Sequence, residues 1–181
     1  MSHAAHTLVL GGARSGKSAF AEKLANVSGR DKVYIATAQA GDDEMRLRIG
    51  HHQARRGAGW ITIEEPLRLA DAVTREACGN RVLLVDCLTL WLSNVMLADL
   101  DCAHETTRLI EALRAATGPV LLVSNEIGLG LVPETPLGRS FRDEQGRLNQ
   151  RIAAAVANVA FVAAGLPLWL KGQTPPWSVL Q

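Results

Sequence analysis

The chain has 181 residues, 48% of them hydrophobic and 20% charged, enough to bury one substantial core and too few for two ordinary domains, so a single catalytic domain over residues 1–181 is expected. Its formal net charge is +1, with acidic and basic residues interleaved; this speaks against a nucleic-acid or membrane-surface partner and for small molecules. Cys78, Cys87 and Cys102 lack any C-x-x-C spacing, the stretch Met1 to His6 is short and polar, and no run approaches the roughly 18 apolar residues of a membrane span. Three reduced thiols and a cytoplasmic location without a membrane span are therefore expected.

The first apolar run, Thr7 to Leu10, reads as a buried strand. It leads into Gly11-Gly-Ala-Arg-Ser-Gly-Lys-Ser18, which matches the phosphate-loop pattern G-x-x-x-x-G-K-[ST] and is followed by the helical stripe Phe20, Leu24 and Val27. Small residues let backbone N–H groups close around phosphates, and the start of the next helix adds a partial positive charge. Gly11, Gly12, Ala13, Arg14, Ser15, Gly16, Lys17 and Ser18 are thus the expected nucleotide cradle. Within it Lys17 should contact the β- and γ-phosphates and the Ser18 hydroxyl should face Mg²⁺.

A second strand is expected at Lys32 to Ala36, and then a helix from about Asp43, acidic at its start and basic at its end. On a 3.6-residue period His52 joins Met45 and Ile49, while His51 joins Glu44, Arg48 and Arg55. Flanking cations favour the neutral, nucleophilic form of His51. On pattern alone, a solvated charged face is the simpler reading of that stripe. Trp60 to Ile63 is a weaker strand candidate. Arg81 to Val85 is a strong one, and Asp86 at its end is placed to help hold Mg²⁺.

Leu109, Leu113 and Ala116 share a helical stripe before the strand Pro119 to Val123, just beyond which lie Asn125 and Glu126. Open α/β sheets bind ligands there, though a turn with a capping asparagine reads equally well. Leu148, Ile152, Ala155 and Val159 suggest another helix, Val159 to Ala163 a further strand, and Pro167 to Leu170 an antiparallel return after Gly165. The alternation predicts an α/β fold, a mainly parallel central sheet with helices on both faces and an antiparallel edge hairpin.

The phosphate loop, Tyr34-Ile-Ala-Thr37, Asp42-Asp-Glu-Met45 and Arg48-Ile-Gly-His-His52 together resemble the bifunctional adenosylcobinamide kinase / adenosylcobinamide-phosphate guanylyltransferase family. Trp60-Ile-Thr-Ile-Glu-Glu-Pro66, Leu84-Val-Asp-Cys-Leu-Thr89, Val123-Ser-Asn-Glu-Ile-Gly-Leu-Gly130, Val132-Pro-Glu134 and Phe141-Arg-Asp to Asn149-Gln-Arg151 extend the similarity over nearly the whole chain. The resemblance implies a RecA-like P-loop sheet, a homotrimer and two reactions. A nucleoside triphosphate, ATP or GTP, phosphorylates the aminopropanol hydroxyl of adenosylcobinamide. GTP then guanylylates the enzyme, and GMP passes to adenosylcobinamide phosphate in cobalamin nucleotide-loop assembly. The family's guanylylated histidine corresponds to His51, and Lys17 would stabilise the departing pyrophosphate. By the same resemblance Thr37, Ala38, Gln39, His52, Gln53, Ala54, Arg55, Glu64 and Asp86 contact GTP, with Ser18 and Asp86 on Mg²⁺. Asp86 stands where some relatives have glutamate, one methylene shorter but still a carboxylate. The competing expectations are a RecA-like ATPase or nucleotide-dependent binding module, and a family member that retains one of the two transfers.

Overall fold

The structure, a computed structural model, describes residues 5–38 and 59–173. The helix expected from Asp43, with His51 and His52, and the tail with Pro175 and Pro176 lie outside the described residues. The elements are β1 (Thr7–Gly11), α1 (Lys17–Val27), β2 (Asp31–Ala36), β3 (Trp60–Glu64), α2 (Leu69–Glu76), β4 (Arg81–Asp86), α3 (Leu88–Leu97), α4 (Cys102–Ala115), β5 (Val120–Asn125), α5 (Pro136–Ala155), β6 (Asn158–Ala163) and β7 (Leu166–Lys171). They form one seven-stranded sheet in the order β3-β2-β4-β5-β1-β6-β7. Six strands are parallel and β7 returns antiparallel to β6, so the expected fold class is the observed one.

Parallel strands buried on both faces need apolar residues at every position, which is why their runs are continuous rather than alternating. On one face Val9, Tyr34, Leu84, Leu121 and Val123 pack against Phe20, Ala21 and Leu24 of α1. On the other Leu8, Leu10, Ile35, Leu83, Val85 and Leu122 pack against α2, α3, α4 and α5 through Leu69, Trp91, Leu109, Leu113, Leu148 and Ile152. The period-2 alternation of the pleat thus assigns each strand residue to one face.

Several expectations change in detail. Helices α2 and α3 were not foreseen: α2 is eight residues long, and the apolar run Leu88–Leu97 shows no clear helical stripe because its helix is buried on most sides. Val159 belongs to β6 and not to the helix before it, which ends at Ala155. Ala116 is the C-cap of α4, and Val27 is exposed at the end of α1.

Local chemistry sets the element ends. Asp101 caps α4 by accepting from the N–H groups of Ala103 and His104, and Thr135 caps α5 ahead of Pro136. The Lys171 ammonium, on β7, donates to the carbonyls of Ala153, Ala154 and Val156 at the far end of α5, where the helix dipole favours a cation. Between β6 and β7, Ala164 and Gly165 both have positive φ (52° and 79°), the backbone of a tight two-residue hairpin turn. Among the described residues no helix is long and apolar enough to cross a membrane.

His6 is a buried polar anchor that composition alone hides. Its Nε2 donates to the Leu113 carbonyl at 2.8 Å, and its Nδ1 accepts from the Val120 N–H at 3.1 Å, a pair of partners that requires the neutral ring with its proton on Nε2. It thereby ties the start of β1 to the end of α4 and the start of β5. His6→Ala takes the acceptor from the buried Val120 N–H and removes one donor from the Leu113 carbonyl, which keeps the Ala116 N–H, at about 1–3 kcal/mol. Thermal unfolding should show Tm falling by roughly 3–10 °C, and an unchanged Tm would contradict the anchoring role.

Candidate active site

The carboxyl ends of β3, β2, β4, β5 and β1 line one edge of the sheet, and the expected site residues collect there. Gly11 is in register with Asn125, Asp86 with both Ala36 and Val123, and Ala36 with Glu64. By the pleat, Gly11, Ala36, Glu64, Asp86 and Asn125 all belong to the α1 face, the face on which the phosphate loop turns into its helix.

At that turn the backbone has no room to spare. A Cβ on Gly11 would lie 2.5 Å from the Val162 carbonyl oxygen and from the Ser15 hydroxyl. Gly16 has φ +95°, and a Cβ there would lie 3.0 Å from the Cα of Gly165. The β6–β7 turn braces the loop directly, because the Gly165 N–H donates to the Ser15 carbonyl at 2.8 Å. Helix α1 then starts at Lys17 with no side-chain cap and no acidic residue in its first turn. Its first amide N–H groups have no intrahelical partner, so an anion fits at this point.

Lys17 is only 9% exposed, and its ammonium donates back across the loop to the Gly12 carbonyl at 3.0 Å. Burial holds its pKa below the usual lysine value, opposed by the nearby Cys87 and Asp86. The Cys87 thiol is itself pushed up to about 11, first by burial and then by Asp86. It is therefore uncharged at neutral pH, and Asp86 is the anion that matters to Lys17.

Asp86 is fixed from its C-terminal side. The Asp86–Cys87 peptide is cis, and the buried Thr37 hydroxyl donates to the Cys87 carbonyl at 2.7 Å while accepting the Cys87 N–H at 2.8 Å. The Thr37 carbonyl in turn accepts from the Asn94 amide, which also reaches the Pro66 carbonyl. All three polar groups of Thr37 are thus engaged within the fold, its N–H pointing at the Asp86 carbonyl. Its part in the site is to lock the ends of β2 and β4 together; Ala38 comes next in the chain, half-buried.

Beside the loop, β5 ends in a buried polar cluster. Ser124 donates to Asn149, Gln145 donates to both, and Asn149 donates to the Asn125 carbonyl. The Asn125 N–H is held by the Thr89 hydroxyl, and the Glu126 N–H by the Gly11 carbonyl. Ser18 and Asp86 are half-buried and Glu64 is exposed. Gln39, His51, His52, Gln53, Ala54 and Arg55 lie outside the described residues. Thr89, Asn94, Gln145 and Asn149 carry the site's support and were missed as functional residues, because a polar side chain inside an apolar helical stripe announces burial but not its partner.

Two loop glycines separate steric need from mere smallness. Gly16→Ala meets both a left-handed φ and the Gly165 backbone, whereas a Cβ on Gly12 meets nothing within 4 Å. Gly16→Ala should weaken binding of a fluorescent GTP analogue about tenfold or more and lower Tm, from about 1–3 kcal/mol of backbone strain. Gly12→Ala should leave the Tm of the free protein unchanged, so equal effects on both would overturn this distinction.

Comparisons with known proteins agree with this geometry. Residues 7–170 match the family model described as cobinamide kinase / cobinamide phosphate guanyltransferase. The chain is 55% identical over 170 residues to the Pseudomonas aeruginosa bifunctional adenosylcobalamin biosynthesis protein CobP, covering 92% of this chain and 97% of that one. It is 39% identical over 179 residues to the Escherichia coli K12 protein CobU, which carries the same bifunctional description, covering 91% and 98%. In fold it is similar to the ATPase EscN of the enteropathogenic E. coli type III secretion system (TM-score 0.54, 13% identity), matching 88% of this chain and spanning 43% of that one. It is also similar to the Pyrococcus horikoshii OT3 protein PH0250 (TM-score 0.52, 9% identity, 93% and 86% covered). The RecA-like expectation thus stands on both topology and fold similarity. With most of its length matched and the phosphate loop, Asp86 and Asn125 aligned on one sheet edge, the chain belongs to the cobinamide kinase / cobinamide phosphate guanyltransferase family.

Proposed function

We propose that this protein phosphorylates adenosylcobinamide and then transfers GMP from GTP to adenosylcobinamide phosphate, through GMP carried on His51. The observation that carries this reading is the family match over residues 7–170 on a chain whose uncapped α1 N-terminus and Lys17 face Asp86 at one sheet edge. A triphosphate is the ligand such an edge fits: amide N–H groups and an ammonium meet its oxygens. In the guanylyl half, the neutral His51 imidazole attacks the α-phosphorus, and Lys17 stabilises the charge on the departing pyrophosphate. Of the nucleotide contacts, those by Gly11 to Ser18 rest on this geometry. Those by Thr37, Ala38, Gln39, His52, Gln53, Ala54, Arg55 and Glu64 rest on the family resemblance.

Mg²⁺ fits the groups present. The Ser18 hydroxyl and the Asp86 carboxylate are hard oxygen donors, and among the described residues no cluster of three His, Cys, Asp or Glu side chains could cage a metal. Mg²⁺ usually takes one or two protein oxygens together with substrate phosphates. When bound it would neutralise charge on those phosphates.

A cytoplasmic location and a homotrimer complete the proposal. Self-association has a surface to use, since Leu166, Leu168 and Leu170 on the edge strand β7 are 73%, 63% and 58% exposed, and such apolar edges pair readily. Sedimentation should give a trimer mass, with Leu168→Asp shifting it toward monomer; a monomeric wild type would sink the oligomer.

Intact-mass measurement after incubation with GTP and Mg²⁺ tests the covalent route. One GMP should be added in the wild type and in His52→Ala but not in His51→Ala. A wild type that gains no mass would refute the histidine intermediate.

A further inference from the structure

Asn125 is the last residue of β5, the strand that separates the phosphate-loop strand β1 from the Asp86 strand β4. Its neighbours Leu121 and Val123 belong to the α1 face, whereas Ser124 points the other way and bonds to Gln145 and Asn149 of α5. The pleat therefore turns the Asn125 side chain toward α1 and the loop. It lies beside Gly11 in register, with Asp86 one strand away.

Its backbone is held from two helices at once, the N–H by Thr89 at 2.9 Å and the carbonyl by Asn149 at 3.1 Å. The side-chain Oδ1, by contrast, is buried and has no hydrogen-bond partner among the described residues. Buried acceptors are seldom left unpaired, because the desolvation penalty is not recovered. An acceptor carried on a backbone fixed in this way, beside a phosphate cradle, cannot serve a phosphate oxygen, which is also an acceptor. It fits a donor that arrives with the substrate.

Resting on the function proposed above, we infer that Asn125 orients the acceptor hydroxyl in the kinase half-reaction. Its Oδ1 accepts the hydrogen bond of the O–H that attacks the terminal phosphate. The hydroxyl oxygen forms a bond to the γ-phosphorus, and the bond from that phosphorus to the β–γ bridging oxygen breaks, its electron pair staying on the nucleoside diphosphate. The proton passes to an oxygen of the transferred phosphoryl group and on to solvent, an amide oxygen being too weak a base to keep it. The contribution is alignment, which acts on the transition state. The Gln145–Asn149–Ser124 cluster holds the Asn125 carbonyl and so the backbone that carries the side chain.

The two half-reactions provide the test, since only the first uses an external hydroxyl at the terminal phosphate. With cobinamide and ATP, Asn125→Ala should lower kinase kcat about 10- to 100-fold. Nucleotide affinity and the rate of GMP adduct formation from GTP should stay within about threefold of wild type, and Tm within about 2 °C. Asn125→Asp, isosteric and still an acceptor, should fold as the wild type does and recover kinase kcat above the Ala variant. Unchanged kinase kcat in Asn125→Ala would overturn the assignment, as would equal losses in kinase and adduct formation, or an Asp variant no better than Ala. A wild type that phosphorylates no cobinamide would instead refute the function itself and take this assignment with it.

Discussion

The turn from β1 into α1 makes every other demand on this fold. Anion binding there needs backbone N–H groups that converge, and they converge only if the chain reverses within the few residues from Gly11 to Lys17. The reversal brings Gly11 against the Val162 carbonyl and Gly16 against Gly165, so the loop is shaped as much by β6 and the hairpin tip as by its own residues. The edge hairpin, peripheral in the sheet, is therefore part of the site. Its inner face also holds α1, through the edge-to-face contact of Trp169 with Phe20 at 6.0 Å between ring centroids.

A charged lysine beside that turn is largely removed from water, and its environment must compensate. The Gly12 carbonyl and the nearby Asp86 do so. The peptide after Asp86 is clasped by the Thr37 hydroxyl, and Thr37 by Asn94, which helps hold Asp86 in position. The chain of dependence runs from an amide on α3 through the end of β2 to the carboxylate on β4. Each link is a buried or part-buried hydrogen bond, and losing it removes a partner from a group within the fold. The same logic at β5 uses Gln145 and Asn149 of α5 and Thr89 of α3, so helices on one face of the sheet stiffen a site that opens on the other.

Much of this was legible beforehand. The phosphate loop was, because four fixed positions at set spacing encode a steric and electrostatic requirement local to one turn. The parallel sheet was, because strands buried on both faces must be apolar throughout, as at Val82 to Val85 and Leu121 to Val123. Helices α2 and α3 were not, one being short and the other apolar on most sides, so that the 3.6-residue period carries little contrast. Val159 fitted both a helical stripe and a strand, and packing of Asn158–Ala163 beside β1 resolved it in favour of the strand.

From residue order alone came the strand–loop–helix at Gly11 to Ser18, the carboxylate after Val85, and the alternation that makes strands parallel, since these depend on neighbours within a turn or two. Only the folded chain could decide that β5 and not β4 lies next to the phosphate loop, that Thr37 spends its hydroxyl on Cys87, and that Asn125 keeps a buried oxygen without a partner among the described residues. Those facts join residues roughly 25 to 115 positions apart, as Asn149 is from Ser124 and Gly11 from Asn125. No local spacing records them, because sheet order and side-chain pairing are set by how whole elements pack.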